Sequence, residues 1–243
     1  MPAPMVITAR FPLGTFLGHR TDGAPDPFPD TARLHAALTH AAGQATTAER
    51  DGDELRPSAA AISALRWLEQ HPPSELQLPQ RREVAGRNRD RYTRAWRDEG
   101  VMEGQDKPWS RRVQKAQSDA VALAGTVGWR WEAVPDDLVG VIDNLCADVS
   151  CLGETDSPVV LEVWGDEGWK PTHSIDETVT IFPAPGGLSV RTPVAGRFDE
   201  LEADYRAANP TRHPKPHSKH SWSARPGSAT PSARSPRPCS SAS

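Results

Sequence analysis

The stretch that decides the fold runs from residue 4 to residue 43 and reads PMVITARFPLGTFLGHRTDGAPDPFPDTARLHAALTHAAG. Residues 6–11 have the apolar alternation of a strand, and a Gly/Pro-rich loop of about eighteen residues follows them. A helix is predicted over residues 31–42, with Pro29 and Asp30 or Thr31 at its start and Gly43 closing it. A strand, a long loop and a helix in this order are typical of the opening half of a ferredoxin-like βαβ unit.

The rest of the chain predicts further helices and strands. A second helix should begin at Ser58 and stop at His71, before Pro72 and Pro73. Further strands are predicted over residues 127–134, 159–164, 178–182 and 187–192, and further helices over 136–147 and from Gly196 onward. Residues 80–115 show no strong periodicity. The predicted fold is therefore α+β, a ferredoxin-like βαββαβ body (RAMP/RRM-like) with a basic insertion at about residues 44–120.

Residues 211–243 differ in composition from the rest of the chain. They contain nine Ser, six Pro and six Lys/Arg but no acidic residue, so this tail carries about +6. Residues 1–210 then hold 22 basic and 32 acidic residues, a net charge of −10. The tail contains too few apolar residues to offset the entropy cost of ordering it, and we predict that it is disordered.

Composition also bears on the compartment and on cofactors. Cys146, Cys151 and Cys239 have neither a zinc-ligand spacing nor a disulfide pattern, so reduced thiols in a cytoplasmic protein are expected. No signal peptide or stretch of 18 apolar residues is present, which predicts no membrane association. No nucleotide-binding glycine motif occurs, and neither a cofactor nor a metal is expected.

The segment from residue 80 to residue 115 is strongly basic, with eleven Lys/Arg and six acidic residues. Tyr92, Trp96 and Trp109 lie among these cations. Arginine binds phosphate through two parallel hydrogen bonds and aromatic rings stack on unpaired bases, so the composition favours contact with RNA. The alternative is a solvated loop whose arginines pair with its own acidic residues.

Three histidines are weak candidates for catalysis. His19 lies in the long loop, whereas His35 and His40 lie on the first predicted helix, bordering its apolar stripe. A metal-independent ribonuclease needs a base with a pKa near 7 and a cation, which His and Arg supply. The alternative is that His35 and His40 are ordinary residues at the helix edge.

Several segments, in order, resemble one family of RNA-handling proteins. These are the opening stretch, RREVAGRNRDRY (81–92), LCADVSCLGETDSPVVLEVW (145–164) and GRFDELEADYRAA (196–208). Together they resemble the CRISPR-associated RAMP protein of type I-U (I-G) systems, in which a Cas-five-like half is fused to a Cas-six-like half. The resemblance covers residues 5–210 and implies only the Cas-five-like half. The tail at 211–243 would then be a frameshifted replacement for the half that cleaves pre-crRNA.

The resemblance implies a subunit that binds the 5′ handle of crRNA in a Cascade-type complex, with the other Cascade subunits as partners. Tyr92 or Trp109 would stack on bases, and the pair Gly186 and Gly187 is similar to the family's glycine-rich loop, where amides meet RNA phosphates. The cations expected to contact phosphate are Arg20, Arg33, Arg81, Arg82, Arg87, Arg111 and Arg112. Two alternatives remain: a metal-independent endoribonuclease that processes pre-crRNA through His19, His35 or His40, and a protein-interaction subunit that does not bind RNA.

Overall fold

The computed structural model describes residues 2–20, 23–52, 54–85, 88–93, 111–116, 119–174 and 188–208. At residues 88–93 and 111–116 the description covers the backbone alone. Arg87, Trp109, Gly186, Gly187, the strand predicted over residues 178–182 and the tail at 211–243 lie outside the described residues.

Four helices and twelve strands are described. The helices are α1 (Thr31–Gln44), α2 (Ala59–Gln70), α3 (Asp136–Asp148) and α4 (Arg197–Ala208). The strands are β1 (Ala3–Arg10), β2 (Thr15–Phe16), β3 (Ala48–Asp51), β4 (Glu54–Pro57), β5 (Glu75–Gln77), β6 (Gln80–Val84), β7 (Asn88–Thr93), β8 (Arg111–Ala116), β9 (Ala120–Ala124), β10 (Val127–Val134), β11 (Val160–Trp164) and β12 (His173–Ser174). The chain is therefore α+β, as predicted.

A five-stranded antiparallel sheet in the order β11-β1-β10-β5-β12 forms the centre of the fold. In this sheet Ile7 of β1 lies opposite Trp129 of β10 on one side and Val163 of β11 on the other. The chain passes through α1, the β3–β4 hairpin and α2 between β1 and β5, and through α3 between β10 and β11. The three strands predicted over residues 6–11, 127–134 and 159–164 are all confirmed in this sheet.

The helices begin where local sequence signals place them. Asp30 caps α1 by accepting a hydrogen bond from the backbone N–H of Arg33 at 2.9 Å, and Ser58 caps α2 in the same way through Ala61 at 3.1 Å. Such a side chain satisfies an N–H group that has no partner within the first turn. Gly43 does not close α1, since the helix continues through Gln44.

The core lies between the central sheet and the helices. Its fully buried side chains include Ile7, Trp129, Leu34, Leu38, Leu65, Ile142 and Leu145. Leu138 is only partly buried and packs against this cluster. The apolar stripes predicted for α1 and α3 therefore face one common core, which supplies most of the stabilisation of both helices.

One strand predicted from sequence is wrong, and the insertion contains strands that the sequence did not predict. The unpredicted strands include residues 80–84, 88–93, 111–116 and 120–124. All five side chains of β6 are exposed, so that strand lacks the apolar alternation by which strands are recognised. Within the described part of the predicted strand at 187–192, residues 188–192 form no strand, and the short β12 occupies the sheet edge instead.

Candidate nucleic-acid interface

The basic insertion forms two sections of antiparallel hairpin in one register. In the first section β6 pairs with β9, and Val84 lies opposite Ala120. In the second section β7 pairs with β8, and Asn88 lies opposite Ala116. From the last pair of the first section to the first pair of the second, both strands advance by four positions. The two sections therefore have the same pairing register. We call the β7–β8 section the basic ribbon; its six residues per strand span about 20 Å.

The register of the basic ribbon gathers cations on one face and places one pair of them directly opposite each other. Arg89 lies opposite Lys115, Arg91 opposite Val113 and Thr93 opposite Arg111. Because residues two apart share a face of a strand, these six residues belong to one face, with four cations and no acidic residue. Like charges directly opposite each other destabilise a strand pair. An anionic partner would relieve this repulsion.

Tyr92 and Arg112 form a pair on the other face of the basic ribbon. Asp90 lies on that face as well, opposite Gln114. Of the predicted phosphate-binding residues, Arg111 and Arg112 are therefore neighbours in sequence but belong to opposite faces.

Arg81 and Arg82 lie on β6, at one edge of a three-stranded sheet in the order β2-β9-β6. Both side chains are exposed. Arg81 also lines a small cleft of about 140 Å³, together with Phe28, Leu123 and His173. These two arginines remain accessible to a phosphate backbone.

Arg20 and Arg33 meet a third arginine, Arg191, at the start of α1. Asp26, which is 4% exposed, accepts hydrogen bonds from the guanidinium groups of Arg33 and Arg191, the latter at 2.6 Å. Arg20 Nε lies 3.6 Å from the other oxygen of the same carboxylate. Asp30 accepts a further hydrogen bond from Arg191 Nε. A buried carboxylate needs such partners, because removing an ionised group from water is costly.

The three arginines of this cluster differ in exposure. The side chain of Arg33 is 23% exposed, and its guanidinium also donates to the His19 carbonyl at 3.0 Å. The side chains of Arg20 and Arg191 are 53% and 49% exposed. The guanidinium of Arg33 therefore makes its hydrogen bonds mainly within the fold, whereas Arg20 and Arg191 still present N–H groups to solvent. Sequence analysis missed Arg191, because its contact with Asp30 spans 161 residues and leaves no local signal.

The three candidate histidines lie in different environments. Nδ1 of His19 lies 2.5 Å from Oε1 of Glu154, and both side chains are partly exposed. The side chain of His40 is exposed. The expectation that His35 lies at a helix edge is wrong, because it is buried in the interior at 1% exposure.

His35 and Glu69 link three helices inside the core. Nε2 of His35 lies 3.2 Å from the Leu65 carbonyl and 3.5 Å from Oε1 of Glu69. The Glu69 carboxylate also accepts hydrogen bonds from the backbone N–H groups of Gly196 and Phe198. Burial lowers the pKa of His35, although Glu69 and the Leu65 carbonyl raise it in part. His35 is buried and out of reach of a substrate, so its role in this structure is structural.

Part of the sheet face opposite the helices is covered. On this face Thr8 lies opposite Gly128, and Trp169 packs so closely over Gly128 that an added Cβ would lie 2.7 Å from the indole ring. Trp169 Nε1 donates to Glu75 at 2.8 Å, and Arg130 bridges Glu75 and Asp166 at 3.3 and 3.1 Å. RRM domains stack bases on aromatic residues of their open sheet face. Over Gly128 that position is filled by the chain's own Trp169, whereas Trp164 on β11 lies on the same face and is 42% exposed. We take the basic ribbon and the exposed arginines as the candidate interface.

The chain matches no protein-family model, and a search of curated proteins found no match. No helix in the described part of the chain is both long enough and apolar enough to cross a membrane. Over the same residues no group of three or more His, Cys, Asp or Glu side chains could hold a metal ion.

Proposed function

We propose that this chain is the Cas-five-like RAMP subunit of a type I-U CRISPR system and that it binds the 5′ handle of crRNA within a Cascade-type complex. The observation that carries the proposal is the face of the basic ribbon with Arg89, Arg91, Arg111 and Lys115 and no acidic residue. An RNA strand laid along this face would pair its phosphates with four cations in a chain whose first 210 residues are otherwise acidic.

The strand order is the second support for this proposal. A ferredoxin-like βαββαβ unit has an antiparallel sheet in which the fourth, first, third and second strands follow one another. The order β11-β1-β10-β5 agrees with it if β1, β5, β10 and β11 are taken as the four strands in chain order. In the same comparison α1 and α2 stand for the first helix and α3 for the second. RAMP proteins have folds of this kind, so the order agrees with the resemblance seen in sequence.

In the proposed complex the phosphates would contact the basic ribbon and then the exposed Arg81 and Arg82 at its base. Arg20 and Arg191 would add cations at the start of α1, held in place by Asp26 and Asp30. Arginine suits this role because its planar guanidinium can hold a carboxylate on one edge and a phosphate on another. Tyr92 or Trp109 would stack on a base.

Binding of a fluorescently labelled repeat RNA by the purified full chain tests the proposal. The ribbon variant changes Arg89, Arg91 and Arg111 to Gln. A matched control changes Arg56, Arg66 and Arg206 to Gln, which removes the same charge from exposed positions on β4, α2 and α4. We expect the ribbon variant to bind about tenfold more weakly or worse, and the control to bind within about twofold of wild type. Equal weakening of both variants would refute site-specific binding.

A second candidate function is metal-independent endoribonuclease activity, as in the processing of pre-crRNA. It is favoured by one observation, the contact between Nδ1 of His19 and the Glu154 carboxylate, with Arg20 next in sequence. A carboxylate on Nδ1 orients a histidine so that Nε2 can act as a general base. Incubating the same RNA with EDTA distinguishes this function: cleavage lost in His19→Gln and retained in His40→Gln would support it.

The remaining alternative is a protein-interaction subunit that does not bind RNA. Its support is that Arg33, Arg130 and Arg191 all make ion pairs with acidic residues of the body. Absence of both a gel shift and cleavage at low salt would favour it.

A further inference from the structure

The small cleft beside Arg81 lies between the start of β6 and the short edge strand β12, and its volume is about 140 Å³. Most of the described residues that line it are apolar, among them Phe28, Leu78 and Leu123. Its polar lining consists of Arg81 and His173, and no carboxylate lines it among the described residues. Apolar walls with a few polar groups are typical of sites for small molecules. We call this feature the β6–β12 cleft.

The volume of the β6–β12 cleft suits a single six-membered ring. An engineered apolar cavity of about 150 Å³ in another protein holds one benzene molecule. A pyrimidine base is one six-membered ring with small substituents, whereas a purine carries a second fused ring that would not fit in the same space. Phe28 lies in the wall of the cleft, and unpaired bases stack on aromatic side chains.

The hydrogen bonds of Thr172 fix the role of the neighbouring His173. Oγ1 of Thr172 accepts from the Leu78 N–H at 2.9 Å and donates to the Leu76 carbonyl at 3.2 Å. The same oxygen lies 2.8 Å from Nδ1 of His173. Because a hydroxyl group has one proton, Nδ1 is the donor in this contact, and Nε2 of the neutral imidazole is an acceptor. An acceptor suits the N–H groups of uracil or cytosine.

Arg81 connects the β6–β12 cleft with the candidate nucleic-acid interface. Its side chain is exposed, and it lies opposite Leu123 in the pairing of β6 with β9, so both residues share one face. Along the chain β6 leads to β7, the first strand of the basic ribbon. An RNA strand bound to the ribbon and to β6 would therefore meet a guanidinium group at the cleft, where it can hold the phosphate of one nucleotide.

We propose that the β6–β12 cleft binds one pyrimidine base, turned out of the RNA strand that the basic ribbon holds. The base would lie against Phe28 and Leu123, an N–H group of the base would donate to Nε2 of His173, and Arg81 would contact the phosphate of the same nucleotide. This inference rests on the proposed function, to which it adds a preference for a pyrimidine at one position of the RNA.

Leu188 offers a variant that fills the cleft. It lines the cleft, is partly buried and lies in an irregular segment, so Leu188→Trp can add volume there without changing a strand or a helix. The matched control is Val194→Trp, since Val194 lies in the same irregular segment, is 64% exposed and does not line the cleft. A second variant is His173→Phe, which keeps an aromatic ring but removes the acceptor.

The first probe is UMP, titrated into the isotope-labelled full chain and followed by amide chemical shifts at Leu78, Leu123 and His173. We expect AMP to bind about fivefold more weakly than UMP, or worse, because the second ring does not fit. Leu188→Trp should weaken UMP binding about tenfold or more, and Val194→Trp should leave it unchanged. His173→Phe should weaken it as well. UMP should bind more tightly than uridine, and Arg81→Gln should remove this difference.

The second probe is a labelled octauridylate, which distinguishes this inference from the proposed function. Leu188→Trp should weaken its binding about tenfold through loss of the base contact but keep the wild-type salt slope, because the same phosphates are neutralised. The ribbon variant should flatten the slope and leave UMP binding unchanged.

Three results would overturn the inference. Equal affinity for UMP and AMP, or for UMP in wild type and Leu188→Trp, would refute a pyrimidine site in the cleft. Salt-dependent binding of octauridylate without UMP shifts at the cleft would refute the inference and leave the proposed function standing. UMP binding at the cleft, with octauridylate bound no more tightly than UMP, would refute the proposed function and make a free nucleotide the ligand of the cleft.

Discussion

Replacing Glu69 with Ala should be among the most damaging single changes in this fold. The Glu69 carboxylate is buried and accepts hydrogen bonds from the N–H groups of Gly196, at 2.9 Å, and Phe198 at the start of α4. It also lies 3.5 Å from Nε2 of His35. The side chain therefore connects α2 to α4 and to α1.

The expected magnitude follows from these contacts. A hydrogen bond to a charged group contributes about 1.5 to 3 kcal/mol, and the Ala variant leaves two N–H groups without their acceptor. Glu69→Ala should lower the free energy of unfolding by about 3 to 5 kcal/mol, a large fraction of the 5 to 15 kcal/mol typical of a domain. Glu69→Gln keeps one acceptor oxygen and should cost about half as much.

Urea unfolding followed by circular dichroism measures this difference, read at constant m-value. The matched control is Glu200→Ala on α4, where the exposed carboxylate forms an ion pair with Arg197 across one turn. The cost of this change should be below about 0.5 kcal/mol. If Glu69→Ala falls within about 0.5 kcal/mol of Glu200→Ala, the account of Glu69 as the buried cap of α4 is wrong.

Three further predictions concern single residues. Burial lowers the pKa of His35 in the folded chain, so below about pH 6.5 the unfolded chain binds more protons than the folded one. The free energy of unfolding should therefore fall as the pH drops below about 6.5. A series of urea titrations should show a smaller fall for His35→Gln than for wild type. Gly153 has a φ of +111°, and an added Cβ would lie 2.2 Å from the Leu17 carbonyl oxygen, so Gly153→Ala should clearly lower the melting temperature. Gly140→Ala should raise it slightly, because Gly140 lies within α3 and an added Cβ there meets no atom within 4 Å. Asp26→Ala leaves three arginines without their shared buried carboxylate and should destabilise the chain by about 3 kcal/mol or more in urea unfolding.

Sequence reasoning worked where the signal is local. β10 was predicted with its observed bounds, because apolar alternation and Pro135 mark both its face and its end. α2 likewise begins after the Ser58 cap and ends before two prolines. In both cases the residues that decide the element lie within one turn or one strand length of it.

The charged insertion shows where such reasoning fails. No strand was predicted over β6 and β7 because their arginines and acidic residues give no apolar alternation. Their pairing with β9 and β8 depends on residues 18 to 44 positions away. The Asp26 cluster and the contact of His19 with Glu154 are likewise long-range, since Arg191 and Glu154 lie more than 130 residues from their partners. These contacts are set by the packing of the whole chain and leave no pattern in any window of sequence.

The salt dependence of RNA binding tests the central proposal most directly. For single-stranded RNA each neutralised phosphate adds about −0.7 to the slope of log K against log salt concentration, so the four cations on one face of the basic ribbon predict a slope of about −3 or steeper. Changing Arg89, Arg91 and Arg111 to Gln should flatten the slope by about 2, whereas the control with Arg56, Arg66 and Arg206 changed should keep the wild-type slope. A wild-type slope near zero, or a slope that the ribbon variant leaves unchanged, would contradict the proposal.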